Sequence, residues 1–150
     1  MDGLVIRKEC DKMKRSWMIA ITVFLLIVVT GGYMVFDQTF PKADPIHCPD
    51  IESIEKITLV KNDGSSIKVG KTDFGELLHH IRNAQPTRRM SVNDAPYTKV
   101  YYIIQMDTLD RQFRYYVYRE NSQVYIEMPY IRIYKTSDLF LDVVAENFIE

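Results

Sequence analysis

The sequence predicts an α+β domain carried behind a transmembrane helix, and three observations predict it. Residues 17–36 form an unbroken apolar stretch without a formal charge. Between residues 54 and 134, several segments alternate apolar and polar side chains, the pattern of strands with one buried face. Two further segments, around 74–81 and 139–148, space their apolar residues three and four apart, the pattern of amphipathic helices. The expected order is an N-terminal transmembrane helix, then a β-hairpin, a helix, an antiparallel β-meander and a C-terminal helix.

The apolar stretch comes first. Twenty helical residues rise about 30 Å, the thickness of a bilayer's hydrocarbon core. It is longer than the roughly 7–15 apolar residues of a signal-peptide core, and no small-x-small site follows it in the exit GGYMVFDQTFPK. A retained anchor over residues 16–36 is therefore expected. Arg7, Lys8, Lys12, Lys14 and Arg15 precede it against Asp2, Glu9 and Asp11. By the positive-inside rule, tail 1–15 stays in the cytoplasm and the C-terminal domain is extracellular. Cys10 and Cys48 then fall on opposite sides of the membrane and cannot pair with each other.

Residues 37–50 contain three prolines and are expected to form an extended stalk. The extracytoplasmic domain is expected over 51–150, a common size for one domain. Its hairpin joins 54–60 to 66–70 through Asn62-Asp63-Gly64, residues that tolerate positive φ. The first helix starts at Thr72 or just after and ends near Asn83, with Phe74, Leu77, Leu78 and Ile81 as its apolar stripe. Strands follow at 97–106, 112–119 and 123–128. Their aliphatic face is expected to be core, and the tyrosine-rich face partly wet. A short edge strand is expected at 131–134, after Pro129. Thr136 or Ser137 then caps a helix with Leu139, Phe140, Val143, Val144 and Phe148 on its buried side.

The inventory for catalysis is thin. Ser91 and Asp94 lack a nucleophile elbow or a Gly-rich oxyanion loop, and their setting reads as turn chemistry. The adjacent His79 and His80 point about 100° apart on a helix and do not chelate one ion readily. His47 and Cys48 alone make no metal site. No catalytic residue, metal or cofactor is expected.

Two features favour binding. Arg82, Arg88 and Arg89 place cationic forks at one connector, and such forks suit phosphate or carboxylate. Nine of the ten tyrosines lie between Tyr97 and Tyr134. Tyr130 and Tyr134, beside Pro129, are the best recognition candidates, and Asp94 of the polar connector 85–96 is a further binding candidate. From Asp37 onward, 14 Lys and Arg stand against 17 Asp and Glu, a net charge of −3. Nucleic acid is therefore not an expected partner.

Thr87, Ser91-Val92-Asn93-Asp94 and Pro96, together with Tyr125-Ile126-Glu127-x-Pro129-Tyr130 and Ile133-Tyr134, carry a family resemblance. The sequence resembles the DUF5301 family across about residues 51–148. Members are small exported or membrane-anchored proteins of Gram-positive bacteria without an established activity. The resemblance implies an envelope location and supplies no catalytic residues. The family's glycine after the Pro-Tyr pair is replaced here by Ile131-Arg132.

The expectation is an interaction module held in the bilayer by residues 16–36, binding an envelope protein or an anionic wall polymer. Two alternatives stand beside it. One is an envelope hydrolase using Asp94 or Glu127 with a histidine. The other is a regulatory subunit of a membrane sensor or transporter, acting through the span.

Overall fold

A computed structural model describes the backbone of residues 3–148 and the side chains of residues 15–148. The side chains of Arg7, Lys8, Cys10, Lys12 and Lys14 lie outside the described residues. The chain divides into two units, Met1–Pro41 and Lys42–Glu150.

The first unit is one helix, α1 (Gly3–Thr39). Its segment Arg15–Thr39 is long and apolar enough to cross a membrane. The large apolar side chains from Trp17 to Phe36 that the packing leaves exposed include Phe24, Ile27 and Val29. The Thr22 and Thr30 hydroxyls donate to the carbonyls of Met18 and Leu26 at 2.9 and 2.7 Å. These bonds satisfy the two hydroxyls within the helix itself.

The second unit is an antiparallel sheet of seven strands with two helices. In chain order these are β1 (Ile54–Lys61), β2 (Ser66–Lys68), α2 (Phe74–Arg82), β3 (Gln85–Pro86), β4 (Tyr101–Thr108), β5 (Gln112–Glu120), β6 (Gln123–Met128), β7 (Arg132–Thr136) and α3 (Asp138–Glu146). The strands lie in the order β2-β1-β4-β5-β6-β7-β3. This is the α+β architecture the periodicities predict.

Alternation decides the two faces. Ile57, Leu59, Ile104, Met106, Tyr115, Val117, Val124 and Ile126 point to one side and are fully buried. Phe74, Leu77, Leu78 and Ile81 of α2, with Phe140 and Val144 of α3, join them in one core. Burying each such side chain contributes about 1.5–3 kcal/mol.

Four local expectations need correction. Asp73, not Thr72, precedes α2, without a side-chain capping bond. The segment after Pro129 is not an edge strand, because β7 pairs with β6 on one side and β3 on the other. A proline in β3 suits the true edge, where no further N–H is required. The folded unit starts earlier than residue 51. Ala43, Ile46 and Pro49 are buried, and Ala43 N–H donates to the Thr87 carbonyl at 3.0 Å. The Tyr115 hydroxyl donates to the His47 carbonyl at 2.8 Å. From Lys42 on, the presumed stalk is thus an ordered flank of the domain, because its few apolar side chains find a gap beside the core.

The fourth concerns the tyrosine-rich face. Tyr116 and Tyr118 point away from the helices, yet they are only 5% and 3% exposed. The connector after β3 lies over this face and takes it out of water.

Candidate functional site

The connector is stapled to the sheet one residue at a time. Thr87 donates its hydroxyl to the Ile133 carbonyl, and the same oxygen accepts from Arg89 N–H at 3.1 Å. Ile133 N–H donates to the Arg89 carbonyl at 3.1 Å, so the chain follows β7 one step beyond β3. It then turns across the sheet.

Ser91 makes the deepest contact. Its hydroxyl donates to Glu127 Oε1 at 2.6 Å, and both residues are buried. The same oxygen accepts from Tyr130 N–H at 3.1 Å. Glu127 stands on β6 between Tyr116 and Ile133 in the register, on the side away from the helices. Burial pushes the Tyr118 phenol above its usual range, and the neighbouring Glu127 carboxylate pushes it further.

Tyr130 lies in the β6–β7 turn, which Ile131 N–H closes by donating to the Met128 carbonyl. Its φ is +60°, a left-handed conformation that costs a non-glycine residue free energy. The bond from its N–H to Ser91 holds that turn at one end. At the other end, its hydroxyl donates to Asp94 Oδ1 at 2.7 Å. That bond to a carboxylate raises the phenol's pKa.

The three arginines do not form one cationic cluster. Arg82 donates to the Pro49 carbonyl at 3.0 Å and lies 3.8 Å from Asp50. Arg89 pairs with Glu120 at 2.6 Å, and its guanidinium sits 4.9 Å from the Tyr125 ring centre. Arg88 is half-buried beside it in the chain. Tyr134 is 3% exposed and belongs to the core. It is therefore not a surface recognition residue: one step of strand alternation places it under the helices. Asp94 and Tyr130 do meet, whereas the Arg89 side chain turns to Glu120 and Tyr125.

No histidine reaches Glu127 or Asp94. His80 stacks on Phe140 with ring centres 5.1 Å apart, His79 meets Asn83, and His47 meets Arg111 and Phe113. Among the described residues, no group of three or more His, Cys, Asp or Glu is placed to hold a metal ion. Burial raises the Cys48 thiol's pKa, with Arg82 opposing the shift. Shallow depressions of about 400–520 Å³ occur elsewhere on the domain, one bounded by β2, α2 and α3.

The connector also gathers exposed apolar surface. Of nine large exposed apolar side chains among the domain's described residues, six lie on the connector or the turn it grips: Met90, Val92, Tyr97, Val100, Tyr130 and Ile131. The Ser91–Tyr130 bond places Met90, Val92 and Ile131 around one contact.

The family model that describes a "Domain of unknown function (DUF5300)" under the name DUF5301 matches residues 42–135, more than half of the chain. The chain belongs to the DUF5301 family. The matched segment starts at Lys42, where the folded unit also starts, and it contains every residue of the Thr87–Ser91–Asp94–Glu127–Tyr130 set. A solved structure, "NMR structure of the protein from Ruminococcus gnavus", shares 23% identity with a TM-score of 0.53. The match covers 60% of this chain and 89% of that one, and it shows that the fold is shared. No curated protein matches the chain.

The residues that carry the resemblance thus have a physical reading here. Ser91, Asp94, Glu127 and Tyr130 are the groups that close the connector over the sheet. Ser91 and Glu127 were visible in the sequence as a turn residue and a polar strand residue. Only the motif, which carries both, hints that they meet.

Proposed function

We propose that this DUF5301 protein is a single-pass, membrane-anchored interaction module of a bacterial envelope. α1 is its retained anchor, with the N-terminus cytoplasmic and the domain outside. The contact surface is the connector from Arg88 to Tyr97 with the Tyr130-Ile131 turn. It replaces the surface first expected around Arg82 and Tyr134. The partner is an envelope component, either a protein or a polymer carrying anionic groups.

One observation carries this reading: the domain's exposed apolar side chains concentrate on a connector whose backbone is fixed by buried hydrogen bonds. Exposed apolar groups that cluster mark contact surfaces, and fixing them beforehand reduces the entropy lost on binding. Exposed tyrosine adds contact area at low rotamer cost.

The test is photocrosslinking in cells from Val92 and Tyr130 of the full-length anchored protein, with the exposed Leu139 of α3 as the control. Adducts from the first two positions and none from Leu139 are expected. Equal yields at all three positions would refute the site. So would unchanged adducts at Val92 after Tyr130→Ala and Ile131→Ala.

A further inference from the structure

We propose that the contact surface of the connector and turn docks on the headgroup layer of the bilayer that holds α1. This rests on the reading of that surface given above and names what it touches.

The covalent chain sets the reach. Only Phe40 and Pro41 separate Thr39 from Lys42, so the Cα atoms of Thr39 and Lys42 are no more than roughly 11 Å apart. The polar headgroup region extends several ångströms beyond the hydrocarbon on each side. The first residues of the domain therefore emerge at that region.

The connector is close to those first residues. Ala43 N–H donates to the Thr87 carbonyl at 3.0 Å, and Met90 follows Thr87 by three residues, a chain reach of about 11 Å. Ser91 bonds Tyr130 N–H, which brings the turn alongside. Met90, Val92, Tyr130 and Ile131 are thus brought near the residues where the domain begins. Leu139, which is also exposed, belongs to α3, whereas Leu109 stands in the β4–β5 turn, whose Arg111 meets His47 of the flank at 2.9 Å.

The chemistry suits an interface. Met90, Val92 and Ile131 are aliphatic groups able to enter the boundary between headgroups and acyl chains. Tyr97 and Tyr130 are amphipathic rings of the type enriched there. Lys42, Arg88 and Arg132 supply positive charge against Asp44 and Asp94, a small positive excess. Apolar insertion therefore carries the contact, and anionic headgroups strengthen it only modestly. A weak surface is sufficient, because a short tether holds it at an effective concentration on the order of millimolar.

The test uses the full-length protein reconstituted alone into lipid vesicles, with an environment-sensitive fluorescent amino acid at Val92, Ile131 or Leu139. Expected is blue-shifted emission and loss of iodide quenching at Val92 and Ile131, with Leu139 quenched as in water. The shift should occur on zwitterionic lipid and increase somewhat with anionic lipid. In a chain labelled at Met90, Val92→Asp with Ile131→Asp should restore quenching while circular dichroism stays unchanged. Quenching at Val92 and Ile131 equal to that at Leu139 would overturn docking, and so would uniform protection at all three positions. If these vesicles show water-exposed positions while cells give a discrete protein adduct at Val92, the lipid assignment fails and the contact surface stands. If cells also give no position-specific adduct, both fail.

Discussion

Ser91 donates to one buried group and accepts from another, so its hydroxyl has more consequence than a turn residue's ordinarily does. Ser91→Ala leaves Glu127 Oε1 without that donor and Tyr130 N–H without its acceptor. An unsatisfied buried polar group costs about 1–3 kcal/mol, and urea unfolding should show a loss of that size. Thr98→Ala, which removes only an exposed hydroxyl-to-carbonyl bond, should change stability by less than about 0.5 kcal/mol. Asp94 allows a separate check. The hydrogen bond the Tyr130 hydroxyl gives to Asp94 is the main reason its pKa is raised, and repulsion between a phenolate and that carboxylate adds to it. The bond is therefore intact below the ordinary tyrosine range near 10 and is lost as pH rises through the raised value. Asp94→Ala should bring the Tyr130 titration, followed by NMR, back down toward the ordinary range. At this scale the sequence was half legible. Turn propensity and alternation classify Ser91 and Glu127 singly, and neither contains the 36-residue contact between them. Tyr134 misled for a related reason: proximity to Pro129 suggested an edge, whereas its parity on β7 puts it in the core.

Elements held together by neighbouring residues were the legible part of the fold. The β1–β2 hairpin is an example, since its turn chemistry is local. Asp63 Oδ1 accepts from both the N–H and the hydroxyl of Ser65 at 2.9 and 2.6 Å, and Gly64 has φ +93°. These bonds, with smaller help from Lys61, lower the Asp63 pKa to about 2. An unfolded aspartate titrates at about 3.9. Its contribution is therefore complete above about pH 4 and is lost as pH falls toward 2. Asp63→Asn should flatten the hairpin's part of that acid limb, read from Ser65 and Lys61 amide shifts. Gly64→Ala meets no neighbour within 4 Å, so its cost is backbone conformation alone, about 1–2 kcal/mol. The connector over β5 and β6 was not legible in the same way. Its grip depends on side chains brought together only after β4 to β7 have paired, and a polar, proline-bounded segment gives no period to read.

The whole domain differs most from its sequence pattern at its beginning. Prolines at 41, 45 and 49 suggested a stalk, because proline favours extended, solvated chain. The same extended conformation lets residues 42–50 lie along the domain. Ala43 and Ile46 then reach the core, and backbone groups of Ala43, His47 and Pro49 pair with Thr87, Tyr115 and Arg82. The isolated domain should thus fold when it begins at Lys42 and be weakened when it begins at Ile51. Loss of Ile46 burial contributes about 1.5–3 kcal/mol. The hydrogen bonds to Thr87, Tyr115 and Arg82 contribute about 0.5–1.5 kcal/mol each. A combined loss of roughly 3–7.5 kcal/mol is comparable to the stability of a small domain. The chain from Lys42 should therefore give a cooperative urea transition, whereas the chain from Ile51 should show a much lower midpoint or none. Equal midpoints would mean that the flank lies on the domain without supporting it. In that case the tether between anchor and fold would be longer by as many residues as the flank can release, and the connector could stand clear of the headgroups. The two truncations therefore also bear on the proposed docking, which needs the flank to stay in place.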